Sequence, residues 1–269
     1  MKKLFLLFIT AVIIAPCMAQ EAKPTQNTRK EERKLRIIAI AKQEEEGVMK
    51  YKRHTVAGIK LTTDGYGGFV EVGRARSVKK ALLFQIDIAE RKHPKEEKLQ
   101  SDDIYNARSP IIYGKLNFLY PVKLGVQEQF LLGNKGNKNG VGITANAGGG
   151  ISLALLRPYM IDIKDNDGSN NHKYISYDPS DTSLAFFDFN RFVSGPNFGT
   201  GWNKLKLTPG LYAKTSVRFD FGKYNEMVNA IEVGLSGEFY SKKIPQMAFN
   251  KQKQFFFSAY VSILVGKRK

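Results

Sequence analysis

The residues that could support hydrolytic chemistry lie close together in one polar stretch of the chain. His172, Ser176 and Asp178 supply the base, the hydroxyl and the carboxylate that a nucleophilic hydrolase needs. Such a triad is assembled by three-dimensional geometry and not by proximity along the chain. The other histidines, His54 and His93, fall at a strand end and in a separate connection. We therefore predict that the protein is not an enzyme, and we keep a lipid or peptide hydrolase as an alternative.

Two other short motifs match only part of a ligand site. Asp165, Asp167 and Gly168 fit a fragment of a calcium loop, but Ile163 occupies the first ligand position and no glutamate follows at the required spacing. The run 133–140, Gly-Asn-Lys-Gly-Asn-Lys-Asn-Gly, lacks the spacing and the following helix of a phosphate-binding loop. We predict neither a metal nor a cofactor.

The first 19 residues have the composition of a secretory signal peptide. Two lysines precede an apolar run from Leu4 to Ile14, and small residues precede a cleavage site after Ala19. The apolar run is too short for a membrane-spanning helix of about 20 residues. A lipoprotein signal at Cys17 is the alternative, although Pro16 stands where such signals prefer a small residue. Cleavage after Ala19 removes the one cysteine, so the mature chain forms no disulfide.

The chain is strongly basic, with a formal net charge of +17 and a mean hydropathy of −0.32. An exported protein seldom meets nucleic acid, so anionic lipid or acidic glycolipid is the expected counterpart, and scattered surface lysines without a target are the alternative. Residues 20–53 form a charged segment in which a periplasmic helix is predicted from Arg29 to Glu46. Leu35, Ile37 and Ala39 also alternate as in a strand.

The strongest structural signal is an alternation of apolar and polar residues with a period of two. It is clearest from Leu211 to Gly266, where three successive segments each have one apolar and one polar face. Similar segments begin near residues 55, 66, 80, 116 and 141, which makes eight strands in all. Glu128 breaks the pattern, either because it lies near lipid headgroups or because a bulge at Gly125 shifts the register.

Strand parity assigns the connections to two sides. Those at 64–65, 91–115, 157–209 and 241–252 lie on one side, and those at 77–79, 133–140 and 222–226 lie on the other. The first group contains the long loops and is predicted to be extracellular. The second group and both chain ends are predicted to be periplasmic.

These features together resemble the small eight-stranded outer-membrane β-barrels of Gram-negative bacteria. The resemblance covers residues 55–266 and rests on the export signal, the alternating strands and the asymmetry of the loops. It implies an all-β fold, an eight-stranded antiparallel up-and-down transmembrane barrel over residues 54–269, located in the outer membrane and surrounded by its lipid. The resemblance does not identify a particular function, because this architecture carries many different ones.

The polar face of each predicted strand, which should point into the barrel, carries many charged residues, so we predict a charged interior. Because eight strands leave room only for side chains, we expect these groups to pair with one another, and an ion path is the alternative. The predicted interior polar network consists of Lys60, Glu71, Asp87, Lys123, Lys214, Arg218, Asp220, Glu232 and Glu238.

The loop at 157–209 is unusually long and rich in aromatic residues, which fits either partner binding or packing over the barrel mouth. We predict a non-enzymatic anchor, scaffold or binding protein whose partner is an envelope protein, as in a secretion or uptake assembly. A narrow channel or porin is the first alternative. The candidate partner-binding residues are Tyr174, Tyr177, Phe186, Phe187, Phe189, Phe192, Phe198 and Trp202.

Overall fold

The fold was analysed in a computed structural model of the full chain. It describes residues 31, 33–38, 52–77, 79–99, 109–134, 140–164, 171–180, 185–188, 191–222 and 227–268. Within these ranges, no helix is both long enough and apolar enough to cross a membrane. The predicted signal peptide lies outside them.

Thirteen strands account for most of the described chain. They are β1 (Arg53–Thr62), β2 (Gly65–Ala75), β3 (Lys80–Arg91), β4 (Lys98–Leu99), β5 (Ile111–Ile112), β6 (Asn117–Gly133), β7 (Gly142–Pro158), β8 (Met160–Lys164), β9 (His172–Ser176), β10 (Phe192–Ser194), β11 (Lys206–Asp220), β12 (Met227–Ile244) and β13 (Lys253–Arg268). Short 3-10 helices span Ala185–Phe187 and Trp202–Lys204.

Eight of these strands form one closed antiparallel barrel. Their spatial order is β1, β13, β12, β11, β7, β6, β3, β2, and β2 pairs again with β1. The barrel closes where β1 meets β13, with His54 opposite Arg268 and Leu61 opposite Val261. Each barrel strand pairs with the barrel strands that precede and follow it along the chain, which confirms the predicted up-and-down topology of eight strands.

The alternation in the sequence becomes an alternation between the two faces of the barrel wall. On β13, Phe255, Phe257 and Val261 are exposed, whereas Ser258 and Tyr260 are buried. On the other barrel strands too, large apolar side chains cover the outside. The inside holds most of the charged and polar side chains together with two apolar clusters, one around Leu119 and Phe256 and the other around Val56 and Leu264. This arrangement is the reverse of a water-soluble barrel, in which the apolar faces meet in the interior.

The two ends of the barrel differ. The strand ends that border the connections 76–79, 134–141 and 221–226 lie at the same end as the start of β1 and the end of β13, which we call the terminus end. The turn at 63–64 and the connections 92–116, 159–205 and 245–252 lie at the opposite end, which we call the loop end. All the long connections are therefore on one side, as the strand parity predicts.

The long loop is shorter in the structure than the predicted 157–209. Arg157 still pairs with Phe118 on β6, and Lys206 to Pro209 already pair with β7. The connection therefore spans 159–205 and contains a small sheet in which β8 lies between β9 and β10. Arg91, which the sequence places in a loop, is the last residue of β3.

Glu128 faces outward without a bulge at Gly125. The pairing of β6 with β7 is regular there and shifts only between Leu131 and Gly133. The Glu128 carboxylate lies 3.6 Å from Nζ of Lys80, which begins β3 at the terminus end. The structure therefore excludes the bulge, and the position of Glu128 near lipid headgroups stays a prediction.

The N-terminal unit, Met1–Glu46, is distinct from the unit that contains the barrel. Residues 31 and 33–38 are helical and exposed, within the predicted helix of 29–46. The remainder of that helix lies outside the described residues.

Candidate functional site: the barrel interior and the loop end

A single guanidinium joins two carboxylates in the half of the barrel interior nearer the terminus end. Arg218 on β11 donates from both Nη atoms to Glu71 on β2, at 2.8 and 2.9 Å. Its Nε donates to Glu232 on β12 at 2.8 Å. All three side chains are buried, and the two glutamates are fully inaccessible to solvent. Such a geometry satisfies charges that would otherwise be very costly to bury.

Further donors complete the coordination of these carboxylates. Glu232 also accepts hydrogen bonds from the Tyr260 hydroxyl at 2.8 Å and from the Lys214 ammonium at 3.4 Å. Lys214 in turn donates to Gln85 at 2.8 Å. Glu71 lies 3.3 Å from Nε2 of His54. Asn146 on β7 also donates to Glu232 at 3.2 Å, and Gln127 on β6 donates to Gln85, so the network involves side chains from all eight barrel strands.

A second arginine forms an equivalent bridge nearer the loop end. Arg91 donates from its two Nη atoms to Glu238 on β12, at 3.2 and 3.0 Å, and its Nε lies 2.7 Å from Asp64. Glu238 also lies 2.5 Å from the Lys123 ammonium and accepts a hydrogen bond of 2.6 Å from the Tyr240 hydroxyl.

Both arginine bridges cross the full width of the barrel. In the spatial order of the strands, β2 is four strands from β11, and β3 is four strands from β12. These are the largest separations that a ring of eight strands allows. Arg218 with Glu71, and Arg91 with Glu238, therefore bind opposite walls together at two levels of the interior.

All nine residues of the predicted interior network are at most 9 % exposed. Lys60 pairs with Asp87, and Asp220 pairs with Arg268. Over the described residues, the interior ion pairs join six cations with six anions, so the paired groups carry no net charge. The cations are Lys60, Arg91, Lys123, Lys214, Arg218 and Arg268; the anions are Asp64, Glu71, Asp87, Asp220, Glu232 and Glu238.

Glycines on the inner wall make room for a tyrosine. Gly125 on β6 and Gly150 on β7 face each other, and Tyr212 on β11 pairs with Gly150. A Cβ atom at position 125 would overlap the Tyr212 hydroxyl. That hydroxyl is buried and has no hydrogen-bond partner among the described residues. The glycines in the β6 and β7 pattern therefore serve the packing of the interior.

At the loop end, three connections build a hydrophobic core outside the barrel. The residues of this loop body come from the connections 92–116, 159–205 and 245–252. Backbone hydrogen bonds link them, from Leu116 N to Gln246 O at 2.8 Å and from Ala248 N to Gly114 O at 2.8 Å. Its buried apolar residues are Ile112, Leu116, Tyr159, Ile161, Ile163, Ala185, Phe186 and Met247.

Two polar groups are buried with this core. Lys115 is 2 % exposed, and its ammonium lies 2.7 Å from Glu96. Burial lowers the pKa of Lys115, whereas the Glu96 carboxylate acts in the opposite direction. The Tyr159 hydroxyl accepts a hydrogen bond of 2.8 Å from Ile112 N, and burial raises the pKa of Tyr159 to about 12. The loop body therefore has a packed interior of its own.

Aromatic rings on the surface of the loop body form a continuous patch. Phe249 is 65 % exposed and stacks on Tyr113 with ring centroids 5.7 Å apart. Phe187 lies 5.1 Å from Phe249 and 5.7 Å from Tyr177. We call Tyr113, Tyr177, Phe187 and Phe249 the aromatic patch. Each of the three long connections contributes to it.

A separate aromatic cluster encloses a cation at the barrel rim. Arg157 is buried, and its guanidinium lies 4.1 Å from the ring of Phe118 and 5.1 Å from that of Trp202. It donates to the carbonyl of Phe198 at 2.5 Å and to the Tyr120 hydroxyl at 3.3 Å. No carboxylate in the described chain pairs with it. These contacts attach the segment 198–202 to the rim.

The structure separates the predicted partner-binding aromatics into groups. Phe186 is buried in the loop body, and Phe192 packs against its core. Tyr177 and Phe187 belong to the aromatic patch, while Phe198 and Trp202 surround Arg157. Tyr174 is exposed outside these groups, and Phe189 lies outside the described residues.

The residues of the hydrolase alternative do not form a triad. His172 and Ser176 are the two ends of β9, and Nδ1 of His172 lies 3.5 Å from Asp162. Asp178 accepts hydrogen bonds from Ser180. The described residues contain no cluster of three potential metal ligands, and Asp165, Asp167 and Gly168 lie outside them.

Sequence reasoning missed several residues of the site, among them Arg91, Tyr113 and Phe249. Arg91 continues the alternation of β3, so its inward parity was visible in the sequence. Tyr113 and Phe249 lie in connections that parity assigns to the loop end. Their aromatic side chains could therefore have marked them as candidate partner-binding residues. Their proximity to Phe187 depends on the folded loops and had no signal in the sequence.

Comparison with known proteins gives structural likeness alone. No family model and no curated protein matches the chain. Neisserial surface protein A is 11 % identical, with 81 % of this chain and 96 % of that chain covered and a TM-score of 0.36. The N-terminal β-barrel domain of Pseudomonas aeruginosa OprF is 10 % identical, with 80 % and 98 % covered and a TM-score of 0.33. A major outer membrane protein from Thermus thermophilus is 10 % identical, with 79 % and 98 % covered and a TM-score of 0.39. The fold of this chain is established by its own strand pairing.

Proposed function

We propose that this protein spans the bacterial outer membrane as a non-enzymatic anchor that presents its loop body to another protein of the envelope. The observation that carries the proposal is the combination of a barrel interior crossed by ion pairs and a loop end with its own core. The terminus end then faces the periplasm and the loop end faces outward.

The outer wall supports a membrane location. Every barrel strand exposes large apolar residues, among them Ile59, Phe84, Phe239 and Ile263. So much exposed apolar surface is rarely left in contact with water by a soluble protein. A hydrocarbon environment removes this cost, and the closed barrel leaves no unpaired strand edge inside the bilayer.

The interior argues against the channel alternative. An ion path requires a continuous water-filled lumen, but Arg218 with Glu71 and Arg91 with Glu238 join opposite walls. Breaking either bridge would leave a buried charge unpaired, which typically costs about 3 to 5 kcal/mol. The interior is thus suited to holding the barrel rigid.

The loop body supports a binding role. Its core fixes the backbone of three connections, so the aromatic patch is held on a rigid support. Aromatic side chains are enriched where proteins bind one another, because they bury a large area with few rotatable bonds. A folded partner protein is the ligand that fits such a surface.

The test places a photoreactive amino acid at Phe249 in cells. We expect covalent adducts with an envelope protein after illumination, and their loss when Tyr113→Ser is added. The same photoreactive group at Phe255, on the outer wall, is the matched control and should react with lipid alone. An adduct pattern at Phe249 that is identical to that at Phe255 would contradict the binding role. Single-channel conductance of the purified protein in planar bilayers would contradict the closed interior.

A further inference from the structure

Basic side chains form an arc around half of the terminus end. Arg53 on β1, Arg74 on β2, Lys80 on β3 and Lys267 on β13 are all exposed. These four strands are consecutive in the barrel. Arg76 follows Arg74 just beyond β2 and is also exposed. We call these five residues the cationic arc.

On the other half of the same rim, the exposed side chains that the structure describes at the strand ends are apolar. At the corresponding ends of β6, β11 and β12, the exposed residues are Leu132, Phe221 and Met227. The basic residues of the described rim are therefore concentrated on one side and not spread evenly.

Few of the carboxylates that the structure describes lie near the arc. Arg53 lies directly opposite Arg74 in the register of β1 and β2, and like charges in that position destabilise a sheet. The described carboxylates of this end are Glu128, which pairs with Lys80, and Asp220, which pairs with Arg268 inside the barrel. No ion pair joins Arg53, Arg74, Arg76 or Lys267 to any described residue. An external anion would relieve the repulsion.

The direction of these side chains identifies the anion. Along β13, Lys267 is the next outward-facing residue after Val265. Along β2, Arg74 is the next outward-facing residue after Val72. Both valines are exposed and belong to the apolar wall. The charges therefore point sideways, just past the edge of the apolar surface. In a bilayer this is the depth of the headgroup phosphates.

We infer that the cationic arc binds anionic phospholipid headgroups in the leaflet that surrounds the terminus end. The inference rests on the proposed membrane location and adds to it a lipid preference and a side of the barrel. Each Lys or Arg near the surface contributes to such binding by electrostatic attraction, which salt weakens.

The experiment measures lipid selectivity in reconstituted bilayers. The full chain is placed in phosphatidylcholine vesicles containing trace spin-labelled phosphatidylglycerol or spin-labelled phosphatidylcholine, and the motionally restricted fraction of each label is recorded. We expect a several-fold preference for phosphatidylglycerol that high salt abolishes. The triple variant Arg53→Gln, Arg74→Gln and Lys267→Gln should lose the preference.

The matched control removes three charges at the loop end, with Lys242→Gln, Lys243→Gln and Lys251→Gln, and should retain the preference. Boiled and unboiled samples on a detergent gel establish that each variant is folded. If the triple variant does not fold, Arg74→Gln alone and salt titration of the unmodified protein provide the test.

Three results would overturn the inference: equal restriction of both labels by the unmodified protein, a preference that survives in the triple variant, or equal loss in the control. Displacement of the label by acidic glycolipid but not by added phosphatidylglycerol would assign the arc to glycolipid and also overturn it. Absence of any restricted lipid would instead contradict the membrane location itself.

Discussion

Arg218 and Glu71 stand on diametrically opposed strands of the barrel and form a bidentate ion pair, with nitrogen to oxygen distances of 2.8 and 2.9 Å. The pair holds β11 and β2 at a fixed distance across the interior. Because both groups are buried, their contribution depends on the full complement of hydrogen bonds around them.

Replacing this arginine should destabilise the barrel strongly. Arg218→Gln leaves Glu71 and Glu232 buried without their guanidinium, and we expect a loss of about 3 to 5 kcal/mol in the free energy of unfolding. Urea titration of the protein in vesicles measures this loss. Lys80→Gln is the matched control, since its ion pair with Glu128 is largely exposed and should contribute at most about 1 kcal/mol. Equal losses in the two variants would show that the interior bridge is unimportant.

The glycine and tyrosine on the inner wall should behave as a coupled pair. We expect Gly125→Ala to cost about 1 to 3 kcal/mol, because the new methyl group would meet the Tyr212 hydroxyl. Tyr212→Phe alone should change stability little, since that hydroxyl has no hydrogen-bond partner among the described residues. The double variant should recover part of the loss in a urea titration. Strict additivity of the two changes would contradict the contact.

The single tryptophan of the chain reports on the rim cluster. Arg157→Ala removes the cation next to Trp202 and releases the segment that follows Phe198. We expect increased quenching of tryptophan fluorescence by iodide, while Arg157→Lys should give an intermediate value because it keeps the charge but not the fork of donors. Lys206→Ala, at an exposed site on the adjoining strand, serves as the control. Unchanged quenching in Arg157→Ala would contradict the attachment of this segment.

Position along the outer wall should determine the cost of an added charge. Val261 lies at the middle of β13, so Val261→Arg should cost about 2 to 4 kcal/mol near the bilayer midplane. Thr55→Arg, beside the cationic arc, should cost about 0 to 1 kcal/mol. Refolding yields into vesicles compare the two variants, and similar yields would indicate that the outer wall does not contact lipid.

Most of the barrel could be predicted from the sequence because its period of two is a local property. The eight strands and the burial of residues such as Glu71 and Lys214 follow from parity alone. The partners could not be predicted, because the choice of Arg218 for Glu71 depends on how far the strands are staggered around the ring. Arg91 was missed since its alternation continues past the predicted end of β3.

The loop body could not be predicted for a related reason. Its core joins residues that are far apart in the chain, as in the backbone hydrogen bond from Ala248 to Gly114. The composition of the long loop indicated a folded element. Whether Phe186 or Phe249 would be the exposed ring required the three-dimensional packing.

The most direct test of the membrane location is the environment of the outer wall. The one cysteine, Cys17, lies in the predicted signal peptide, so Val261→Cys gives a single attachment site for a spin label in the mature protein. In vesicles, we expect the label at 261 to be relaxed by oxygen dissolved in the bilayer and protected from an aqueous nickel complex. The same label at Lys242→Cys, at the loop end, should show the opposite. If the nickel complex relaxes the label at 261 as strongly as the label at 242, the barrel wall faces water and the proposed membrane location is wrong.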